Sequence, residues 1–204
     1  MKIAIFVQKI NTMGQFWTRR NDQEDKDTKT FSPWSELVMK EDRDNIKKIT
    51  KILFICHGNI CRSPMAEFIM KDLVHKAGRD SEFEIASAAT STEEIGNPVY
   101  PPAKRKLAEH GIGCAGKTAR QMTKADYEYY DLLIGMDDEN WDNMMRKFDN
   151  DPLGKCHLLM EYTFDKLSTG YSSSRSVSDP WYTGDFEATW NDCLAGCKAL
   201  LETM

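Results

Sequence analysis

From residue 51 to the end of the chain, short apolar runs alternate with stretches whose apolar positions recur every three or four residues. KILFI, residues 51–55, is a continuous apolar run short enough to be a buried strand. Ser63-Pro64 then opens a helix, because a serine caps the orphan amides of the first turn and proline fits its first position. Ala66, Ile69, Met70, Leu73 and Val74 follow at helical spacing until Gly78 stops the run. Further strands are predicted at 83–88, 132–136 and 156–159, with helices at 103–110, 123–129 and 139–148 between them. The clearest helix is the last, where Phe186, Trp190, Cys193, Leu194, Cys197, Leu200 and Leu201 share one face. Strands alternating with helices predict an α/β fold with a parallel sheet covered on both sides. Ligands of such folds bind at the carboxyl ends of the strands. No internal repeat is visible.

The first fifty residues follow a different pattern. A β-like run at 3–7 is followed by NDQEDKDTKT at 21–30, which has no apolar side chain to offset its ordering entropy and reads as a linker. Ser32-Pro33 offers a second helix start, with Trp34, Leu37, Val38 and Ile46 on its face. The chain therefore divides into an extension at 1–50, partly disordered with one short helix, and a domain at 51–204.

Composition narrows the function classes. The 204 residues include 41% hydrophobic and 29% charged residues, in the range of a globular domain, with a net charge of -5. A general nucleic-acid or acidic-membrane binder needs surplus Lys and Arg, so neither is expected as a partner and any affinity for anions must be local. The run at 3–7 is too short for a signal peptide, and no segment approaches the roughly 18 apolar residues of a membrane span. A cytoplasmic location is expected, where the six cysteines remain thiols.

Local anion affinity has an obvious seat in ICHGNICRSP, residues 55–64, between the first strand and its helix. A strand turning directly into a helix aims successive backbone amides into a concavity at the positive end of the helix dipole. Gly58 and Asn59 tolerate positive φ and permit the tight curl. Arg62 supplies a planar fork able to hold two oxyanion oxygens. Cys56 faces the same concavity, and a helix N-terminus with a neighbouring guanidinium favours thiolate over thiol. Nucleophile and anion cradle thus coincide, which is preorganisation of the oxyanion-hole type. His57 beside Cys56 and Cys61 does not make a zinc site, since about four ligands are needed and no second cluster is spaced to supply them. Neither a metal nor another cofactor is expected. Cys193 and Cys197 are accounted for by core packing.

The run CHGNICRSP closely resembles the phosphate-binding loop of the low-molecular-weight protein tyrosine phosphatases. The similarity extends through SAATS (87–91), IGNP (95–98), HGI (110–112), ARQ (119–121), MDDEN (136–140) and DPWYTGDFE (179–187). It implies a three-layer sandwich with a four-stranded parallel sheet flanked by helices. It also implies that residues His57, Gly58, Asn59, Ile60, Cys61, Arg62 and Ser63 bind phosphate. Cys56 would be the phosphorylated nucleophile, Arg62 the clamp, Ser63 a hydroxyl holding the thiolate and Asp179 the general acid. Phosphotyrosine proteins or peptides would be the substrates and inorganic phosphate the product. An acid is chemically wanted: the phenol of a tyrosine has a pKa of about 10, and a positioned carboxylic acid speeds its departure by roughly 10² to 10⁴. Trp181 and Tyr182 would wall a slot for the ring, with a core role for one of them as the alternative.

Cys61 has two readings: a small apolar support for the loop, or a redox partner forming a reversible disulfide with Cys56, as the resemblance implies. The chain departs from the family pattern at His57, where an apolar residue is common, and at Thr92-Glu93-Glu94, where an aromatic often stands on the rim. An acidic rim at Glu93 should disfavour acidic peptides, and a solvated charge run explains the same residues. Other readings are an arsenate reductase, which needs a downstream cysteine pair, a protein-arginine phosphatase, whose loop carries Thr where Ile60 stands, and a non-catalytic phosphate-binding module.

Overall fold

The computed structural model describes residues 49–163 and 176–204. The apolar run at 3–7, the linker at 21–30 and the helix after Ser32-Pro33 lie outside the described residues. The elements, in chain order, are β1 (Thr50–Cys56), α1 (Arg62–Lys76), β2 (Phe83–Ala89), α2 (Pro101–Glu109), α3 (Lys124–Tyr129), β3 (Leu132–Gly135), α4 (Asp138–Lys147), β4 (Cys156–Leu158), α5 (Pro180–Thr183) and α6 (Phe186–Glu202).

The strands form one four-stranded sheet in the order β2-β1-β3-β4, parallel throughout. Strand periodicity splits β1 between two cores. Ile52, Phe54 and Cys56 join Met65, Ile69 and Met70 of α1 and Trp190, Cys193 and Cys197 of α6. Leu53 and Ile55 join Leu133, Tyr127, Met144 and Phe148 on the opposite face. Two cores on two faces make the expected three-layer sandwich. Residues 52–55 are fully buried, which is why KILFI reads as a continuous rather than an alternating run.

Most element ends shift by one or two residues from the sequence expectation, and the shifts have local causes. Helix α2 starts at Pro101 rather than Ala103, because first-turn amides lack intrahelical partners and two prolines cost no hydrogen bond there. Thr123 and Asp137 lie outside their helices as N-caps, their side chains accepting from Asp126 N–H and Asn140 N–H. Met136 leaves β3 because its amide donates to Asn140 Oδ1 at 3.2 Å. Leu159 leaves β4 to begin a 3₁₀ turn, and β2 runs on to Ala89, which pairs with Cys56. Helix α5 has no counterpart among the expected elements.

Cys193 and Cys197 fasten α6 to α1, with their sulfurs 3.8 Å from Arg62 O and 3.5 Å from Ala66 O. Burial raises the pKa of both thiols, that of Cys193 to about 12, so they remain packing groups. Among the described residues, no helix is long and apolar enough to cross a membrane. The sheet order sends the loops after β1 and β3 to opposite sides, opening a crevice at their carboxyl ends.

Candidate active site

Cys56, the last residue of β1, lies at the floor of that crevice and is buried. The chain then curls through residues 57–61, with Asn59 at φ 57°. That corrects one expectation: the left-handed position belongs to Asn59 alone, and Gly58 is not among the residues with positive φ. A Cβ at Gly58 would lie 3.1 Å from Cγ of Glu94, a tight contact that a shift of the Glu94 side chain would relieve.

Asn59 organises the curl. Its N–H donates to Cys56 Sγ at 3.3 Å, and its Nδ2 donates to both Ser63 Oγ and Ser87 Oγ at 2.8 Å. Because Ser63 Oγ accepts from Asn59, its own proton is free for Cys56 Sγ at 3.0 Å, a closer partner than Ala88 O at 3.4 Å. Ser87 in turn donates to Glu67 Oε2 at 2.5 Å. Glu67 is only 4% exposed, so its charge needs partners. Lys71 at 2.5 Å and Lys117 at 3.3 Å supply them. Burial lowers the pKa of Lys117, while Glu67 works against that shift. Ser87, Glu67 and Lys117 were not read as site residues; the signal available was Glu67 four residues after Ser63, on the same buried helix face.

Arg62 opens α1, where no side chain caps the helix and no acidic residue occupies the first turn. Its Nη1 bonds Asp137, and its Nη2 lies 2.6 Å from Asp179 Oδ2. Burial disfavours the charged guanidinium, but Cys56, Asp137 and Asp179 outweigh it and raise its pKa above the ordinary value. Asp137 was missed as a site residue although it lies in MDDEN; nothing local marks it beyond its place after β3.

Asp179 caps α5 by accepting from Trp181 N–H at 2.9 Å. The two residues before it tie its loop to the scaffold. Val177 N–H donates to Met136 O at 2.9 Å, and Ser178 donates to Asp192 Oδ2 through its N–H at 3.0 Å and its hydroxyl at 2.7 Å.

Above these groups is a cleft of about 200 Å³ lined by Cys56, His57, Gly58, Ile60, Cys61, Arg62, Glu93, Glu94, Glu139, Asp179, Trp181 and Tyr182. All the residues expected from the sequence line it except Asn59 and Ser63, which are buried beneath. Trp181 packs on Tyr100 with centroids 5.6 Å apart yet stays exposed, as does Tyr182, so neither is a core residue. Ile60 packs with Cys61 and Ala119. All six cysteines are free thiols. Burial, then the charges of Cys56 and Asp179, push Cys61 up to about 12. Among the described residues, no three His, Cys, Asp or Glu side chains gather as a metal site would require.

The family described as "Low molecular weight phosphotyrosine protein phosphatase" matches residues 51–204. The chain belongs to this family. It is 37% identical over 159 residues to the low molecular weight phosphotyrosine protein phosphatase of Gallus gallus, covering 76% of this chain and 96% of the relative. The crystal structure of YfkJ from Bacillus subtilis superposes with a TM-score of 0.72 at 34% identity, covering 78% of this chain and 96% of that one. A low molecular weight protein tyrosine phosphatase from Streptococcus pyogenes gives 0.66 at 35%, covering 76% and 93%. In this member of the family the cleft is rimmed by His57 with Glu93, Glu94 and Glu139.

Proposed function

We propose that the protein hydrolyses phosphotyrosine in proteins or peptides, and small aryl phosphates, through a cysteinyl-phosphate. The observation that carries this reading is the convergence on one cleft of Cys56, of Arg62, and of Asp179 at 2.6 Å from Arg62. Arg62 and the loop amides hold the non-bridging oxygens while Cys56 Sγ attacks phosphorus. As the bond from phosphorus to the phenolic oxygen breaks, Asp179 gives that oxygen its proton. In the second step Asp179 takes a proton from water as the water attacks phosphorus. Ser63, 3.0 Å from the sulfur, donates to Cys56 as it leaves, and inorganic phosphate is released.

Binding alone would need neither a nucleophile nor an acid, which counts against a non-catalytic module. An arsenate reductase is disfavoured by placement: Cys114 and Cys156 lie in cores on opposite faces of the sheet and cannot pair. Ile60, Trp181 and Tyr182 give the cleft apolar walls suited to a phenyl ring. A cytoplasmic location belongs to this reading, since a reducing compartment would keep the nucleophile a thiol.

Hydrolysis of p-nitrophenyl phosphate in EDTA, compared with phosphotyrosine and phosphoarginine peptides, tests the reading. Turnover of the aryl phosphate and the phosphotyrosine peptide, lost in Cys56→Ser, is expected. Activity surviving in Cys56→Ser would sink the mechanism, and preference for phosphoarginine would sink the substrate class.

A further inference from the structure

The cleft has two unlike lips. One is aromatic, with Trp181 and Tyr182 of α5 exposed to 59% and 86%. The other is acidic and is assembled from separate parts of the chain: Glu93 and Glu94 on the loop after β2, and Glu139 on α4. His57, on the loop after β1, stands between them. Its Nε2 is 3.2 Å from Glu93 Oε2 and its Nδ1 is 3.6 Å from Glu139 Oε1. We infer that Glu93 and Glu139, which meet His57, and Glu94, which lines the same cleft, are specificity-determining residues that favour phosphotyrosine flanked by Lys or Arg. The inference rests on the phosphatase reading above and adds to it the class of substrate sequence.

A run of glutamates on one loop is most simply a solvated surface, and Glu93-Glu94 alone would carry nothing further. Glu139 changes that, because it comes from another element and meets the same imidazole over the same nucleophile. The charges at the cleft can be sorted. Arg62 lies buried at the floor, is paired with Asp137 and Asp179, and is matched to the phosphoryl group. Among the described residues, the His57 ring nitrogens lie against both Glu93 and Glu139, and neither carboxylate meets a Lys or Arg. Glu94 is held by Asn97, whose Nδ2 donates to it at 2.7 Å, with its stem across Gly58. The mouth therefore carries three carboxylates against one imidazole.

A phosphotyrosine entering head-first leaves its main chain across the mouth, with the neighbouring side chains over the lips. Lys or Arg there lays its methylene stem on the aromatic lip or rim and extends its charge to the glutamates. Glu or Asp meets like charge. Charges around a binding site act mainly on encounter and on partner choice, and their effect is screened by salt.

The test compares kcat/KM for phosphotyrosine peptides that differ only in having Lys or Glu on both sides of the phosphotyrosine, each referred to p-nitrophenyl phosphate, which has no flanks. In wild type the Lys peptide is expected to lead by about tenfold at low salt, the sum of several exposed pairs. The lead should shrink in about 1 M salt, where the Debye length falls to about 3 Å. Combined Glu93→Gln, Glu94→Gln and Glu139→Gln should bring the ratio near one, and Glu139→Lys alone should lower it. Equal turnover of both peptides by wild type overturns the inference and leaves the phosphatase reading standing, as does a preference that survives neutralising the lip. No turnover of p-nitrophenyl phosphate overturns both.

Discussion

Arg62 Nη2 lies 2.6 Å from Asp179 Oδ2, so the side chain proposed to donate the proton is also a partner of the proposed phosphate clamp. A phosphoryl group that takes the guanidinium must displace this carboxylate. The ligand and the proposed acid therefore compete for one guanidinium.

The first prediction is that Asp179→Ala binds inorganic phosphate more tightly than wild type while hydrolysing poor leaving groups more slowly. Removing the competing pair is worth about 1–2 kcal/mol, or about fivefold to thirtyfold in the inhibition constant of phosphate. Competitive inhibition of p-nitrophenyl phosphate hydrolysis reads the constant. Phosphate binding unchanged or weaker in Asp179→Ala would show that the pair does not compete with the ligand.

Asp137 holds the other side of the guanidinium and also caps α4, accepting from Asn140 N–H at 2.7 Å. The two roles separate by substitution, because asparagine caps a helix nearly as well as aspartate. Asp137→Asn should keep the cap, lower the urea midpoint only through loss of the Arg62 pair, and lower kcat/KM by about tenfold to a hundredfold, corresponding to about 1.5–3 kcal/mol for a charged hydrogen bond. Asp137→Ala should lose a further ~1 kcal/mol of stability. Equal kcat/KM for Asp137→Asn and wild type would remove its positioning role.

These two carboxylates show how far the sequence could be read. Cys56 and Arg62 were legible because nucleophile, curl and helix start are contiguous, so local geometry alone places them in one concavity. The strands were legible because parallel strands buried on both faces read as apolar runs. Asp137 lies 75 residues from Arg62 and touches it only because β3 adjoins β1, a pairing that periodicity does not encode. Glu139, on α4 just after β3, was hidden for the same reason, and Lys117 because it reaches Glu67 of α1 and Ser87 of β2 from a distant loop. The left-handed position was assigned to both Gly58 and Asn59 because both residue types tolerate it, and sequence alone does not say which of two neighbours takes it.

Cys61 yields a pH prediction. If Cys56 is oxidised to a sulfenic acid, attack by the Cys61 sulfur gives a disulfide and releases water. The attacking species is the thiolate, and burial, with Cys56 and Asp179 contributing, places the Cys61 pKa at about 12. The rate of disulfide closure after peroxide treatment should therefore rise about tenfold per pH unit between roughly pH 6 and 9. Quenched alkylation and mass spectrometry read that rate. A pH-independent rate would mean that Cys61 is far more acidic once Cys56 has reacted.

The last prediction concerns the support beneath the curl. Arg120 pairs with Asp126 through two bonds of 2.9 and 3.0 Å, while its own N–H reaches Asn59 Oδ1 at 3.3 Å. Burial works to raise the Asp126 pKa, but bonds from Arg120 and from the Thr123 amide and hydroxyl outweigh it and hold the pKa below the ordinary 3.8. A carboxylate depressed in the folded state stabilises the fold above its unfolded pKa, and loses that contribution as pH falls through the folded value. Asp126→Asn should therefore cost about 1–3 kcal/mol at pH 7. The same gap is expected at pH 5, narrowing below about pH 4 as the wild-type carboxylate protonates. Urea denaturation at pH 7, 5 and 3 measures the gap. A difference that stayed constant across that range would assign the loss to packing or capping, and the Arg120 pair would then contribute no net charge stabilisation.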